Sequence, residues 1–324
     1  MKPSTTAIVV TYNSAGQIGR ALTALRGANV DVIVVDNAST DATRTIVERD
    51  FPDVVLMVNE TNVGFATAVN QALTGVRGEI VLLVNPDCTV PSDTVHGLVH
   101  FLATRPEVGI AGPRLLDADG RVAVSAHPFE SLTSVLASRF GGSLVPVGVR
   151  RVLSGTLRRR TYDACRGPAE PTSVDWLSGA CLAVRTDLLR ATGGLDERYF
   201  LYYEDEELCW QARSHGLDVI YLPGLSVVHI GGASSEIGAT WPHLYRSMLI
   251  FFAKHRRTSY QAVRFAVLAR AGLGIVLATA RRATGDGAGS GAARGAAWRG
   301  VARIAWTSSR PDLVSQPELE GAAA

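Results

Sequence analysis

The 324-residue chain is 47% apolar and 19% charged, with Gly 32 and Pro 14; this excludes wholesale disorder and fibrous repeats, and the length suits one large domain or two moderate ones. A net charge of +2 argues against a dedicated nucleic-acid binder. The charge is uneven, however: Lys254 to Arg310 holds eleven Lys/Arg and one acid, Asp286, and Arg139 to Arg166 holds seven Arg and one acid, Asp163. Either stretch reads as a face for anionic lipid or phosphate, or as solvated surface. The cysteines, Cys88, Cys165, Cys181 and Cys209, form no CxxC, as expected of thiols in a reducing compartment. The N-terminal apolar run Ala7–Val10 is too short for a signal peptide. Ala262–Ala280 comes nearest to a membrane span, but Arg264 and Arg270 interrupt it, so no spanning helix is expected.

In chain order, β-rich runs at Thr6–Val10, Asp31–Val35, Val54–Val58, Glu79–Val84 and Val108–Ala111 alternate with helical patterns at Ala15–Leu25, Asp41–Arg49, Gly64–Leu73 and Ser92–Thr104. This spacing predicts an α/β fold with a mostly parallel, Rossmann-like sheet flanked by helices. Residues just past the strand ends then line a ligand crevice. They are Thr11-Tyr12-Asn13, Asp36-Asn37-Ala38-Ser39, Asn59–Asn62 and Asn85-Pro86-Asp87. From Leu115 to Thr172 the rhythm is lost, apart from a helix near Ser131–Arg139. Then come Val174–Arg185, a helix near Asp187–Ala191, a helix at Glu204–Ser214, strands at Asp218–Tyr221 and Ser226–His229, and helices at Trp241–His255 and Tyr260–Arg282. The expected domains are a catalytic domain over 1–235, C-terminal helices over 236–282, and a low-complexity, disordered tail over 283–324.

Several positions suit chemistry. Asp36 ends an apolar strand; it serves either a turn, with Ser39 or Thr40 capping the next helix, or as an acceptor for a ring N–H. Asn62 and Gly64 open a helix whose free N–H groups favour phosphate. Asn85-Pro86-Asp87 is a plain turn or presents Asp87 to a diphosphate-bound Mg2+ or Mn2+. Glu204-Asp205-Glu206-Glu207 opens a helix after Tyr202-Tyr203. That cluster satisfies the helix dipole, or turns one carboxylate to the crevice as a general base. His229 is a structural histidine or completes a metal site with Asp87.

Taken in order, Thr11-Tyr12-Asn13, Asp36-Asn37-Ala38-Ser39-Thr40-Asp41, Asn62-x-Gly64-Phe65, Asn85-Pro86-Asp87, Ser178-Gly179-Ala180-Cys181, Glu204–Trp210 and His229 resemble glycosyltransferase family 2, of GT-A fold. The branch most resembled is that of bacterial rhamnosyltransferases acting on polyprenyl-diphosphate-linked N-acetylglucosamine, and the resemblance covers about residues 5–255. It implies an inverting enzyme with Glu204-Asp205 as the catalytic acid pair, Asp205 being the base. Thr11, Tyr12, Asn13, Asp36, Asn62, Gly64, Asn85, Asp87 and Gly179 would bind the nucleotide sugar, for which dTDP-L-rhamnose is the reading taken. Trp176 and Ser178 would meet the acceptor, and Asp87 with His229 would hold Mg2+ or Mn2+. A lipid-linked acceptor implies a cytoplasmic protein, peripheral on the inner membrane face, with the basic helix Tyr260–Arg282 at the headgroups. Its apolar face covering the catalytic domain is the alternative.

Two departures stand out: Asn85 replaces the first carboxylate of the family's DXD motif, and Gln211 stands where many relatives carry Arg, leaving Arg213 as a substitute. Rival classes are weaker. A nucleotidyltransferase needs a Gly-rich basic loop after the first strand, and an NAD enzyme needs GxGxxG there; Thr11–Gly16 provides neither. A non-catalytic envelope glycan- or lipid-binding protein stays open, as does oligomeric state.

Overall fold

The computed structural model describes residues 4–140, 170–231, 238–283 and 288–311. Most of the basic stretch Arg139–Arg166, Cys165, and residues 284–287 and 312–324 of the expected tail lie outside them. The chain divides into two units: 1–129, 158–197 and 204–234 form the first, and 130–157, 198–203 and 235–324 the second.

The elements of the N-terminal half are β1 (Thr5–Thr11), α1 (Ile18–Gly27), β2 (Asp31–Asp36), α2 (Thr43–Asp50), β3 (Val55–Val58), α3 (Phe65–Leu73), β4 (Ile80–Val84), β5 (Cys88–Thr89), α4 (Ser92–Ala103), β6 (Val108–Leu116), β7 (Val122–Ala123), β8 (Ala126–His127) and, in the second unit, α5 (Leu132–Phe140). There follow β9 (Thr172–Ser173), β10 (Trp176–Leu177), β11 (Cys181–Arg185), α6 (Thr186–Ala191), α7 (Glu204–Ser214) and β12 (Asp218–His229). Strands β1 and β4 are buried along their whole length, as uninterrupted apolar runs in a parallel sheet must be.

The main sheet runs β3-β2-β1-β4-β11-β6-β12-β5, with β7 on β6 and β9 on β12. Neighbours among β1–β4 are parallel, as are β6 and β12. β11 is antiparallel to both β4 and β6, so those two strands run the same way. All the parallel strands therefore end along one edge, at Thr11, Asp36, Val58, Val84, Leu116 and His229. Because β11 is reversed, it begins at that same edge, directly after Gly179-Ala180. One topological inversion thus brings the end of β4 and the start of β11 together.

Each face of the sheet carries its own core. Leu22, Leu25, Val95 and Leu98 from α1 and α4 fill one; Ala66, Val69, Leu189, Leu208 and Cys209 from α3, α6 and α7 fill the other. The two strands expected at Asp218–Tyr221 and Ser226–His229 are one strand, β12, whose register slips between Leu222 and Ser226. Pro223 and Gly224 occupy the slip, where an interrupted ladder tolerates them.

In the second unit, α8 (Trp241–His255), α9 (Arg257–Ala283) and α10 (Ala288–Thr307) pack together. The tail expected to be disordered is therefore helical over Ala288–Thr307. Its Gly/Ala/Arg composition hides the helix, because tertiary packing supplies what propensity does not. Trp298 is 6% exposed and lies against Gly274, where a Cβ would stand 2.5 Å from the indole. Val301 and Ala305 are fully buried. The arginines expected at headgroups also point elsewhere: Arg264 Nε donates to the Ala305 carbonyl at 2.7 Å, and Arg270 stacks 4.3 Å over the Trp298 ring. By length and composition, α9 has an 18-residue window of mean hydropathy 1.7 and is apolar enough to cross a membrane, although its arginines argue against a span.

Candidate active site

The first corner lies past β1 and β2. Asp36 is 1% exposed, and its carboxylate accepts from the Ser39 amide at 3.1 Å and from the Ser39 hydroxyl. Ser39 thus serves Asp36 rather than capping α2; Asp41 instead accepts from the Thr43 amide at 2.9 Å. Asn13 and Ala38 take left-handed backbone (φ 51° and 63°). Their loops are stitched by the Asn13 amide to Ser39 Oγ and the Thr40 amide to Asn13 Oδ1. Asn37 Nδ2 donates to the Gly64 carbonyl at 3.1 Å, and the Gly64 amide donates to Asn62 Oδ1 at 3.0 Å. Gly64 has φ 85° and ψ 169°, a region essentially closed to residues with a Cβ. Thr11 is buried with Oγ1 unpartnered, whereas Tyr12 is 41% exposed. Asp36 thus anchors its own turn, and its remaining lone pairs still admit a donor.

The second corner is the β4–β5 turn. The Asn85 amide donates to the Ala180 carbonyl at 2.9 Å, and the Cys88 amide closes the turn on the Asn85 carbonyl at 3.0 Å. His229 pairs with Cys88 across β12 and β5, and the Ile230 amide donates to the Asp87 carbonyl. These backbone contacts bring His229 Nε2 to 3.3 Å from Asp87 Oδ1. The contact is near rather than aligned, and Oδ1 is a buried oxygen without a directed hydrogen bond. Burial pushes the Asp87 carboxyl up, but His229 and the amides of Asp87 and Gly231 outweigh it and hold the group below its ordinary value. An ionised, buried oxygen beside an imidazole fits a divalent cation. Cys88 Sγ lies in the same cluster, but burial raises its thiol far above neutrality and it donates to the Ala180 carbonyl at 3.2 Å. That makes it a brace, since a thiol ligand must be deprotonated.

The third corner is the start of α7. Asp205 Oδ2 accepts from the Gly179 amide at 2.9 Å, and Oδ1 from the Glu206 amide at 2.8 Å. A Cβ on Gly179 would stand 3.2 Å from the Asp205 Cβ, so glycine permits this close approach. Glu204, Glu206 and Glu207 are buried, whereas Asp205 keeps an open face. Burial raises the Asp205 carboxyl, opposed by its amide donors. Glu204 lies well above its ordinary value, through burial and then the charge of Asp205, and its Oε2 has no partner. Gln211 Nε2 donates to Glu207 at 2.8 Å. Arg213 is not available as a substitute cation: Asp218, the Ser173 hydroxyl and the Val174 carbonyl engage it.

Beside these corners, β10 pairs with β8 in the register Trp176↔His127. The Trp176 indole donates to the Pro128 carbonyl at 3.0 Å and stacks on His127 at 4.3 Å. Burial lowers the His127 ring to about 4, leaving it neutral at pH 7. Ser178 is held by its amide on the Ser125 carbonyl at 2.8 Å. Sequence reasoning missed His127 and Ser125, which the pairing of β8 with β10, a feature with no local signature, brings in, and the Ala180 carbonyl, which the turn after β4 engages.

Residues 6–147 match the family model described as Glycosyl transferase family 2. The chain is 31% identical over 236 residues, 68% of its length and 74% of the relative's, to the N-acetylglucosaminyl-diphospho-decaprenol L-rhamnosyltransferase of Mycobacterium tuberculosis. It is 23% identical over 229 residues to a low-salt glycan biosynthesis hexosyltransferase of Haloferax volcanii, covering 68% of this chain and 66% of that one. Among solved structures, the mannosyltransferase PcManGT from Pyrobaculum calidifontis, in complex with GDP-Man and Mn2+, superposes with a TM-score of 0.54 at 20% identity, covering 96% of this chain and 89% of that one. GalNAc-T7 with UDP, GalNAc and Mn2+ gives 0.53 at 13% identity, covering 80% and 51%. The fold is GT-A, with the C-terminal helices appended.

The Glu204 environment has a consequence for stability. A carboxyl raised by folding favours the folded state while protonated, and that contribution is lost as pH rises through the folded-state value. Glu204→Gln cannot ionise, so its thermal midpoint relative to wild type should climb as pH rises above about 5 and keep climbing until Glu204 ionises in the folded protein. A gap that stays constant across that range would show Glu204 to be charged in the fold.

Proposed function

Because the chain belongs to glycosyltransferase family 2, we propose that it is an inverting hexosyltransferase moving L-rhamnose from a dTDP-linked donor to a polyprenyl-diphosphate-linked N-acetylglucosamine, in cell-wall or surface-polysaccharide assembly. The observation that carries the reading is the Gly179-Ala180 junction. Its amide holds Asp205 and its carbonyl holds the turn bearing Asp87, so a base and a diphosphate anchor share one rigid link.

In this reading Asp36, with Thr11 and Tyr12 beside it, receives the pyrimidine ring, and Asn13, Asn62, Gly64, Asn85 and Gly179 line the donor. Trp176 and Ser178 meet the acceptor sugar. Asp205 removes the proton from an acceptor hydroxyl as that oxygen bonds to the anomeric carbon. The bond to the diphosphate breaks on the opposite face and configuration inverts, through an oxocarbenium-like transition state. Asp87 and His229 would hold Mg2+ or Mn2+, which when bound supplies countercharge to the leaving diphosphate. Glu204 stays protonated beside Asp205 and leaves the negative charge on the base.

The second unit supports a lipid-linked acceptor and a peripheral position on the inner membrane face. Phe265, Val276 and Leu277 on α9 are 61%, 64% and 47% exposed. Ala262, Ala269 and Gly272, also exposed, complete an uncharged stripe with helical spacing. On α10, Trp306 is 72% exposed, with Arg299 and Arg303 on the surface. Helices α8, α9 and α10 contain no acid. Apolar insertion flanked by basic residues suits an anionic bilayer surface.

The test is a panel of nucleotide sugars offered with a short-chain prenyl-diphosphate-GlcNAc acceptor, read by mass spectrometry. A dTDP-rhamnose-dependent mass gain is expected, and gain only with another donor would overturn the sugar assignment. Asp205→Asn should lower turnover by about 10²–10⁴-fold while donor affinity holds within about twofold; near-normal turnover would remove Asp205 as base. Chelation should abolish turnover and Mn2+ or Mg2+ restore it, with Asp87→Asn needing far more metal; full activity after exhaustive chelation would refute the metal role. Finally, the wild type should sediment with anionic vesicles and the triple variant Phe265→Ser, Val276→Ser, Leu277→Ser should largely stay in solution. Equal sedimentation would refute the membrane face.

A further inference from the structure

Most part-buried arginines of the first unit are tied down. Arg185 donates to the carbonyls of Val108, Leu102 and Arg105, and Arg213 to Val174, Ser173 and Asp218. Arg114 differs. Its Nε is fully buried, and among the described residues no hydrogen bond or ion pair reaches its side chain. Arg114 as a whole is only part-buried, so its guanidinium keeps an open side, and the buried Nε donor beside it is unfavourable unless a ligand supplies the acceptor.

Its location narrows the ligand. Arg114 lies near the C-terminal end of β6, at the sheet edge where the crevice residues emerge. Two residues earlier, a Cβ at Gly112 would stand 3.0 Å from Leu177 and 3.1 Å from Leu182. By the alternation of a strand, Arg114 therefore faces the side of the sheet that carries β10 and α7. Ser125, 2% exposed, also has an unpartnered Oγ, and its carbonyl binds the Ser178 amide next to β10. A guanidinium lacking a partner suits an oxyanion such as phosphate. His229 lies two residues past Val227, which belongs to the core of the opposite face, and pairs with Cys88 of that same core. The Asp87–His229 pair thus belongs with the other face from Arg114, leaving room for two separate phosphate positions along one edge.

We propose that Arg114 is the residue that holds the diphosphate of the lipid-linked acceptor, on the side of the sheet opposite the donor diphosphate. This rests on the acceptor class argued above. It makes Arg114 a specificity determinant, separating diphosphate-linked from uncharged glycan acceptors, and not a catalytic residue.

Two measurements test it. In steady-state assays, Arg114→Ala should raise the KM for short-chain prenyl-diphosphate-GlcNAc by about 10- to 100-fold, the worth of a charge-assisted contact. The donor KM and the rate with an alkyl GlcNAc glycoside, which lacks the diphosphate, should hold within about twofold, and Arg114→Lys should recover part of the loss. An unchanged acceptor KM, a rise in the donor KM instead, or equal damage with both acceptors would each overturn the proposal. Calorimetry with a short-chain prenyl diphosphate and no donor provides the second arm. Binding by wild type but not by Arg114→Ala supports the phosphate site even where no donor is turned over, in which case only the sugar assignment fails. Equal binding by both proteins overturns the site.

Discussion

A single backbone carbonyl, that of Ala180, accepts from the Asn85 amide and the Cys88 thiol, while the amide one residue earlier, at Gly179, donates to Asp205. These contacts exist because β11 runs against its neighbours and so begins where β4 ends. Were β11 parallel, its entry would lie at the far edge of the sheet and α7 would have no amide to bind there. The position of one carboxylate relative to the other is thus set by strand direction, a property of the backbone, and the side chains inherit it.

The same edge collects the side-chain atoms that the fold leaves unsatisfied. Thr11 Oγ1, Asp87 Oδ1, Arg114 Nε, Ser125 Oγ and Glu204 Oε2 are buried without partners. Most buried polar groups in a folded protein are paired, and elsewhere this chain follows the rule: Thr186 reaches the Gly78 carbonyl, and Asn70 ties down both the amide and the carbonyl of Leu195. Unpaired groups gathered along one line of strand ends have a different meaning from scattered ones. Such capacity is available to molecules that are not part of the chain.

Much of this was legible in the sequence, for identifiable reasons. Uninterrupted apolar runs such as Ile80–Val84, each followed by polar residues, announce strands of a parallel sheet and place Asp36 and Asp87 at their tips. The direction of β11 was not legible, because Cys181–Arg185 is buried on both faces and a run without alternation says nothing about orientation. Helix α10 was hidden because its glycines and alanines matter only once Trp298 has a glycine, Gly274, to pack against. The basic character of α9 was visible, but not that Arg264 and Arg270 would turn toward α10 and leave an uncharged stripe outside. Periodicity shows that a helix has two faces without saying which neighbour takes which.

Four consecutive acids open α7, and their charges must be reconciled with one another. Neighbouring carboxylates cannot all stay ionised when desolvated, and the hydrogen bonds decide which one does. Asp205 receives two backbone amides, from Gly179 and Glu206, and each favours its charged form. Glu204 is more deeply enclosed, and the only support for its ionised form is its own backbone amide, with Oε2 left bare. Glu204 therefore holds a proton more tightly than Asp205 does. A neutral neighbour spares Asp205 further repulsion, while burial still lifts its affinity for a proton above that of an exposed aspartate. A general base works best when its proton affinity is raised yet the group is still ionised at working pH. Two adjacent carboxyl groups of nearly equal intrinsic acidity are set apart in proton affinity because only one of them faces the Gly179 amide.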